Sequence, residues 1–343
     1  GAGEMASFSD DEYRLCGAVI FPTAADVWAK CDMMVKVKEP LEEEYPYLRP
    51  GLILFTYLHL APNRRLADAL SSSGVKAVAY ETIEGRTGSL PCLRPMSEIA
   101  GRLSIQEGAK YLERPFGGRG ILLGGVPGVE RGKVVIVGGG IAGTYAAKAA
   151  VGMGAQVTLL DISLTRLVYL DDIFGTSITT LYSSETNIAR SLAEADLVIG
   201  AVLIPGATTP KLIRHHHLKI MKQGAVIVDI AIDQGGCCET SRLTTHDDPV
   251  FIVDGIVHYC VGNMPGAVPR TSTVALANTT LPYGMMIAET GLEKACEFNE
   301  GLSKGVNIYE GTCANKNVAD SLNLPYTPVH EAMSYPLSCA STV

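Results

Sequence analysis

The sequence contains 343 residues, of which 47% are apolar and 19% charged, and its formal net charge is −8. A chain of this length favours two domains, and its composition is that of a globular protein rather than a disordered one. The negative charge argues against nucleic acid and anionic membrane surfaces as partners, because both select basic patches. Since the sequence also lacks a bilayer-length apolar run and a signal-peptide pattern, we expect a cytoplasmic protein.

Two groups of potential metal ligands occur in the sequence. The nine cysteines are scattered and lack the CxxC spacing of a zinc site, so we expect reduced, mostly buried thiols. We interpret the adjacent Cys237 and Cys238 as packing residues. The run His215-His216-His217 favours a solvated helix face over a metal site, because successive helical positions point in different directions. The sequence therefore predicts no bound metal.

Strand-like runs alternate with helical patterns along the first third of the chain, as in a parallel α/β sheet. Helices are predicted over 63–73 and 96–112. Three β-rich runs predict strands at 33–40, 52–61 and 75–82. The Gly-rich segment 116–132 predicts a loop that suits a hinge or lid.

The middle third contains short, nearly continuous apolar runs, which are typical of parallel strands covered on both faces. They predict strands at 134–137, 157–161, 197–203, 225–232 and 251–254. A further helix is predicted from a cap at 271–273 to residue 288, with a bend at Pro282. The C-terminal residues are typical of two short helices and loops that pack back on the first domain.

These patterns together predict an α/β fold. We expect two Rossmann-like parallel-sheet domains, joined by long helices, with a cleft between them. Residues 1–91 and 270–343 form the predicted substrate domain, which is discontinuous in sequence. Residues 92–269 form the predicted dinucleotide-binding domain.

The segment GGGIAG (138–143) matches the dinucleotide fingerprint G-x-G-x-x-G at Gly138, Gly140 and Gly143. It directly follows a predicted strand and opens a helix, which is the context that the motif requires. The next strand ends at Asp161, whose carboxylate can accept both adenosine ribose hydroxyls and would repel a 2′-phosphate. The motif therefore predicts NAD rather than NADP; the alternative is a structural glycine turn in a domain without a cofactor.

Later strand ends supply further candidates, because dinucleotides lie across the carboxyl ends of the strands. Asp233 lies in DQGG at the tip of the 225–232 strand, beside two glycines. A capping role for this carboxylate is the alternative. Asn263 and Met264, in GNMPGAVPRTST, can face the same cleft.

His59 lies in FTYLHLA (55–61), a run otherwise built for burial. It is either a core histidine bonded to a backbone carbonyl or an acid/base group that faces a ligand. A neighbouring NAD site favours the second interpretation. Lys36 and Lys38 share one face of the VKVKEP run by the two-residue period, and one of them could extend to solvent. Lys38, at the strand end, could bind a substrate carboxylate.

Several long motifs identify a family resemblance. They are VKVKEPLEEEYPYLRPGLILFTYLHLA, MSEIAGRLS, GGRGILLGGVPGV, GGGIAG, ADLVIGAVLIPGA, VIVDIAIDQGG and NMPGAVPRTST. Together they resemble alanine dehydrogenase over almost the whole chain. The N-terminal part of the proton-translocating transhydrogenase shares this family's fold.

The resemblance implies an enzyme that oxidatively deaminates L-alanine to pyruvate and ammonium with NAD, reversibly. Glyoxylate amination stays open, because a pocket discriminates one methylene by only about 1–3 kcal/mol. The family is commonly hexameric, so a homo-oligomer is expected. The Gly-rich connectors suggest that domain closure excludes water before hydride transfer.

The same resemblance implies roles for individual residues. His59 is the expected acid/base group, Asp233 its partner at the amine and the attacking water, and Lys38 the carboxylate ligand. Tyr57 and Asn263 are the expected secondary substrate contacts. The implied NAD contacts are Ser97, Gly138, Gly140, Ile141, Ala142, Gly143, Asp161, Ser183, Val202, Leu203, Ile230, Asp233 and Met264.

One departure concerns the start of the chain. The family begins with a strand–helix–strand unit carrying an arginine that binds the substrate carboxylate, and GAGEMASFSDDEY matches the stretch after that unit. If this unit is absent from the protein in solution, we expect NAD binding to survive and turnover to fall steeply. The alternatives to an active dehydrogenase are a catalytically impaired NAD-binding fragment and a transhydrogenase-like hydride exchanger.

Overall fold

The chain forms two α/β units, and it leaves the first unit and later returns to it. A computed structural model describes residues 1–202 and 209–334. The first unit comprises Gly1–Pro95 and the described residues from Pro269 onward, and the second comprises Met96–Val268.

The described helices vary from four to 22 residues. In chain order they are α1 (Asp10–Leu15), α2 (Ala24–Lys30), α3 (Arg64–Ser73), α4 (Arg94–Tyr111), α5 (Ile141–Gly152), α6 (Leu164–Phe174), α7 (Glu185–Glu194), α8 (His215–Leu218), α9 (Pro269–Thr290), α10 (Leu292–Phe298), α11 (Glu300–Ser303), α12 (Lys316–Leu322) and α13 (Val329–Ser334).

The described strands are short, with at most six residues. They are β1 (Met33–Val35), β2 (Ile53–Thr56), β3 (Lys76–Ala79), β4 (Lys133–Val137), β5 (Gln156–Asp161), β6 (Ile178–Tyr182), β7 (Leu197–Gly200), β8 (Val226–Asp229), β9 (Val250–Val253), β10 (Ile256–Tyr259), β11 (Val306–Tyr309) and β12 (Thr312–Cys313).

The sheet of the first unit has the strand order β1-β2-β3-β11-β12. Strands β1, β2 and β3 are parallel, with Thr56 opposite Ala79, whereas β11 and β12 are antiparallel to their neighbours. The C-terminal part of the chain thus contributes two strands to this sheet, where sequence patterns predicted only helices and loops. The parallel register places the ends of β1, β2 and β3 along one edge.

The sheet of the second unit has the order β6-β5-β4-β7-β8-β10-β9, in which β9 alone is antiparallel. Residues of β4 alternate between two cores, since Val134 packs in the cluster that contains Ala146 of α5 and Val135 in the cluster that contains Ile188 of α7. The sheet is therefore covered on both faces. The chain order reverses between β4 and β7, where open α/β sheets bind their ligands. The predicted α/β class with two largely parallel sheets is confirmed.

Several predicted element boundaries are wrong. Strand β1 ends at Val35, so Lys36 and Lys38 lie beyond it rather than on one strand face. The helix that the sequence predicts from a cap at 271–273 begins at Pro269 in the structure. The predicted cap therefore lies inside α9. The prediction also omitted β6 and β10. Strand β10 follows β9 through Asp254 and Gly255, both with positive φ, which is a two-residue hairpin turn.

The described residues contain no helix that is both long and apolar enough to cross a membrane. Within the same residues eight cysteines are present, and all of them are free thiols.

Candidate functional site

The glycine-rich loop between β4 and α5 depends on three different properties of its glycines. Gly138 has φ +106°, and a Cβ there would lie 2.6 Å from the carbonyl oxygen of Ala201, the residue after β7. A Cβ on Gly143 would lie 1.8 Å from the Gly138 carbonyl oxygen. A Cβ on Gly140, by contrast, would meet no atom of the described residues within 4 Å. The first and third glycines therefore close the turn, and the second leaves open space in front of it.

The open space at Gly140 adjoins the N-terminus of α5. Gly140 is the N-cap of this helix, and no side chain among the described residues caps it. The first backbone N–H groups of a helix have no intrahelical partner and attract anions. Helix α5 extends for 12 residues. An uncovered helix start beside a glycine without a side chain fits the pyrophosphate of a dinucleotide.

Asp161, at the end of β5, is fixed beside this loop. One of its carboxylate oxygens accepts the Gly139 N–H at 2.7 Å and the other accepts the Ser163 N–H at 2.8 Å. Each oxygen keeps a second lone pair for a ribose hydroxyl. The backbone N–H of Ser183, after β6, donates to the Asp161 carbonyl at 3.0 Å. The ends of β4, β5 and β6 are thus linked at the position expected for the adenosine.

Arg166 is a functional candidate that sequence reasoning missed. Its Nε donates to the Gly139 carbonyl at 2.5 Å and its Nη2 donates to Thr144 Oγ1 at 2.6 Å. These bonds link α6 to the glycine-rich loop and to the first turn of α5. The available signal was an arginine five residues after the predicted ribose carboxylate.

Asp233 lies exposed in the 3-10 turn Ile230–Gln234 that follows β8. Its carboxylate accepts the backbone N–H of Asn263 at 3.2 and 3.3 Å. Asn263 has φ +53°, and its carbonyl oxygen is 3.3 Å from His246 Nε2. The structure therefore brings together Asp233 and Asn263, two residues that the sequence predicted at one site.

The loop that carries Asp233 is anchored by Asp229, a fully buried carboxylate that sequence reasoning also missed. Asp229 accepts the N–H groups of Ala231, Cys237 and Cys238 at 3.0–3.2 Å and the Ser241 hydroxyl at 2.7 Å. A buried charge is stable only with such a full set of donors. Asp229 thereby fixes both ends of the segment that contains Asp233.

The remaining predicted cofactor contacts lie at several positions in the second unit. Ser97 is in the first turns of α4, Ile230 begins the turn after β8, and Val202 follows β7 beside Gly138. Met264 is 3% exposed and belongs to the hydrophobic core, and its contact with NAD stays a prediction. The predicted contact Leu203 lies outside the described residues.

The predicted catalytic histidine of the first unit lies just beyond β2. Leu58 and Leu60 are buried, whereas the side chain of His59 is 41% exposed. The backbone of His59 has φ +47°, in the left-handed region. This turn directs the imidazole away from the core that encloses its neighbours. The interpretation of His59 as a buried core residue is therefore wrong.

Glu39 holds the imidazole of His59 by one nitrogen. His59 Nδ1 lies 3.2 Å from Glu39 Oε2. Burial disfavours the Glu39 anion, but the hydrogen bond and charge of His59, aided by Lys38, hold the carboxyl pKa below its usual value. An ionised carboxylate only accepts, so Nδ1 carries the proton and Nε2 is left for a ligand.

The ring of Tyr57 packs against the imidazole of His59. The two rings are stacked, with centroids 5.7 Å apart. The Tyr57 hydroxyl donates to the Cys92 carbonyl at 2.7 Å, and burial raises the pKa of this phenol. Because its hydroxyl already has an internal partner, Tyr57 is placed to support the imidazole rather than to donate to a substrate.

The structure separates the two candidate lysines. Lys36 forms an ion pair with Glu44, and its Nζ lies 5.7 Å from the centre of the Trp28 ring. Lys38 is half-buried, and among the described residues no carboxylate lies within 4.0 Å of its Nζ. The Lys38 carbonyl accepts the Thr56 hydroxyl at 3.0 Å, which fixes its backbone beside the end of β2. Lys38 is therefore the better candidate for an anionic substrate group.

One group of described residues could hold a metal ion, because its ligand atoms all lie within 4.8 Å of one another. It consists of Glu185, His216 and His217. However, His217 Nδ1 accepts the Arg214 N–H at 3.1 Å, so neutral His217 carries its proton on Nε2, 3.2 Å from Glu185. A histidine that binds a metal through Nε2 instead carries its proton on Nδ1 and donates a hydrogen bond from that nitrogen. The hydrogen bonds therefore favour a structural role for this group, and the absence of a metal stays a prediction.

Comparison with known proteins identifies the family. The model of the alanine dehydrogenase/PNT N-terminal domain matches residues 1–100, and the model of the C-terminal domain matches residues 104–316. The chain belongs to the alanine dehydrogenase/PNT family. The predicted resemblance is confirmed, and so is the prediction that the protein is an enzyme, an oxidoreductase.

Similar proteins of this family cover almost the whole chain. Alanine dehydrogenase of Methanococcus maripaludis is 54% identical over 97% of this chain and 90% of its own length. Alanine dehydrogenase 2 of Staphylococcus aureus is 54% identical over 97% of this chain and 89% of its own. A solved L-alanine dehydrogenase is 52% identical and superposes with a TM-score of 0.89, covering 93% of this chain and 88% of that one. A transhydrogenase from Sinorhizobium meliloti, 23% identical with a TM-score of 0.78, covers 92% and 88% and shares the fold.

Proposed function

We propose that this enzyme catalyses the reversible oxidative deamination of L-alanine to pyruvate and ammonium with NAD. The observation that carries the proposal is the exposed imidazole of His59, whose Nδ1 contacts Glu39 and whose Nε2 has no hydrogen-bond partner among the described residues. It occurs in a chain that resembles alanine dehydrogenases at 54% identity. Histidine is the usual acid/base group near neutral pH.

Residues of the first unit would act on the substrate. Lys38 binds the carboxylate of alanine, since no carboxylate of the described residues lies within 4.0 Å of its Nζ. His59 Nε2 exchanges a proton with the oxygen of the carbinolamine and of pyruvate. Tyr57 and Glu39 hold the imidazole in the orientation and tautomer that this transfer needs.

Residues of the second unit would bind the cofactor and assist at the amine. The hydride from Cα of alanine would pass to NAD, which is the chemistry that this cofactor supplies when bound. The N–H groups at the start of α5 bind the pyrophosphate beside Gly140, and Asp161 binds the adenosine ribose. Asp233, fixed by its contact with Asn263, accepts a proton from the water that attacks the imine carbon.

The carboxylate at Asp161 supports NAD over NADP, because an acid at this position repels a 2′-phosphate. A hexameric assembly, which the resemblance implies, and a cytoplasmic location, which the sequence pattern favours, stay predictions.

Product analysis tests this proposal. The purified chain is incubated with L-alanine and NAD, and NADH, ammonium and pyruvate are quantified together. We expect the three products in equal amounts, no reaction with D-alanine, and much slower reduction of NADP. NADH formation without ammonium would contradict deamination, and the absence of reaction with L-alanine would contradict the substrate assignment.

A further inference from the structure

The backbone of His59 has a conformation that residues other than glycine rarely adopt. Its φ of +47° lies in the left-handed region, where a side chain is crowded by the following carbonyl. Such a conformation persists only where surrounding groups determine it, and it is frequent at sites that must orient a reactive side chain. A group that stabilises this turn therefore decides where the imidazole points.

Glu81 is the group that contacts this turn. It follows β3, which pairs in parallel with β2, so its carboxylate reaches the end of the neighbouring strand. Oε1 accepts the His59 N–H at 2.7 Å and the Leu58 N–H at 3.1 Å. Oε2 lies 3.3 Å from the Leu58 N–H. Both N–H groups lie beyond the last ladder residue, Thr56, and they find their acceptor in this one side chain.

We propose that Glu81 is a positioning residue that holds the His59 backbone in its left-handed turn and so aims Nε2 at the substrate. The inference rests on the proposed function for the role of His59 in turnover. It differs from the role of Glu39, which contacts the imidazole ring and not the backbone. Glu81 acts on the direction of the side chain, and Glu39 acts on its proton.

The hydrogen-bond pattern shows what Glu81 must supply. Oε1 alone lies within 3.1 Å of both N–H groups, so one oxygen at this reach is sufficient. Glutamine offers one such oxygen without the charge, whereas aspartate keeps the charge but is one methylene shorter. We call the Glu81 carboxylate, bonded to the Leu58 and His59 N–H groups, the clamp. If the clamp depends on the length of the side chain, it is retained in Glu81→Gln and lost in Glu81→Asp. A group that works through charge, for example by binding the substrate ammonium, shows the opposite order.

The experiment compares these two variants with the parent enzyme. We expect Glu81→Gln to keep kcat within about threefold, and Glu81→Asp to lower kcat by about tenfold or more, because small misplacements of a reacting group are costly. The Kd of NAD should not change in either, since the cofactor residues belong to the other unit. The reverse order of kcat, or a rise in the KM of alanine confined to Glu81→Gln, would overturn the proposal.

Crystal structures of the two variants give a readout that does not depend on turnover. We expect His59 to keep its positive φ in Glu81→Gln and to leave the left-handed region in Glu81→Asp. An unchanged turn in Glu81→Asp would overturn the clamp. If the parent enzyme did not deaminate alanine, the proposed function would fail, while the φ of His59 in these structures would still decide the role of Glu81.

Discussion

His59 Nδ1 lies 3.2 Å from Glu39 Oε2, although 20 residues separate the two along the chain. The contact forms because β1 and β2 are parallel neighbours, so the segments that follow them meet at one edge of the sheet. It assigns the proton of neutral His59 to Nδ1. The nitrogen that can exchange a proton with a substrate is therefore Nε2.

Replacing Glu39 tests whether this contact matters for turnover. Leucine removes the acceptor, so the imidazole can rotate and change tautomer, and we expect kcat to fall by about 10- to 100-fold. Glutamine still offers an oxygen to Nδ1 and should retain considerably more activity than leucine. Steady-state kinetics with saturating NAD measure both variants. Equal activity of the leucine and glutamine variants would show that the hydrogen bond between Glu39 and His59 is not needed for turnover.

The left-handed turn at His59 predicts an unusual order of stability. Glycine adopts positive φ without strain and alanine does not, so His59→Gly should be more stable than His59→Ala by about 1 kcal/mol. At an ordinary position the glycine variant would be the less stable of the two. Urea unfolding of both variants measures the difference. The ordinary order would mean that His59 lacks a left-handed backbone in solution.

The glycine loop offers a matched pair of substitutions. A Cβ on Gly140 meets no atom within 4 Å in the part of the chain that the structure describes, so Gly140→Ala should fold normally. It should weaken NAD binding by about tenfold or more, because the methyl group occupies the approach of the pyrophosphate. A Cβ on Gly143 lies 1.8 Å from the Gly138 carbonyl oxygen, so Gly143→Ala should lower the melting temperature. Calorimetric titration with NAD and thermal unfolding separate the two effects. Unchanged NAD affinity in Gly140→Ala would place the pyrophosphate elsewhere.

Acid should destabilise the fold through His217. Burial, helped by the charge of His216, lowers the pKa of His217 below the ordinary histidine value of about 6.5. The unfolded chain then takes up a proton that the folded chain resists. The contribution of His217 to the free energy of unfolding is therefore lost as the pH falls below about 6.5 and is retained above it. Burial also lowers the pKa of His258, which contributes in the same direction.

The variant His217→Asn isolates this contribution, because its side-chain oxygen can still accept the Arg214 N–H while the titrating group is gone. Urea unfolding between about pH 7.5 and 5 should show a shallower loss of stability in the variant than in the parent. The slope should not vanish, since His258 remains. Identical slopes would show that His217 titrates as it does in the unfolded chain.

Features encoded by contiguous residues were predictable from the sequence. The loop at Gly138, Gly140 and Gly143 and the carboxylate at Asp161 follow from spacing within one β-α-β segment, and the structure places them together. The position of His59 at a strand end was predictable for the same reason.

The groups that surround these residues were not predictable, because strand pairing brings them together. Nothing near Glu39 or Glu81 in the sequence marks them as partners of His59; they meet it since β1, β2 and β3 end along one edge. At Asp229 the sequence pattern indicates only a buried strand, although the carboxylate accepts hydrogen bonds from the loop that follows.

Some missed elements did have a local signal. Asp254 and Gly255 form the two-residue turn between β9 and β10, and the Asp-Gly pair between two β-rich runs is typical of such a hairpin. Strand β6 was harder to recognise, because it lies at the sheet edge and contains polar threonines at 179 and 180. The role of Lys36 depended on Glu44 and Trp28, which lie beside it only in the folded unit.

The central claim is that His59 exchanges the proton during alanine oxidation. Its most direct test compares NADH formation from L-alanine by the parent enzyme and by His59→Gln, with NAD saturating and its Kd measured in parallel. We predict turnover in the parent, unchanged NAD affinity in the variant, and a kcat at least about 100-fold lower, the scale of general acid–base catalysis. A variant that retains kcat within a few-fold of the parent would contradict the account.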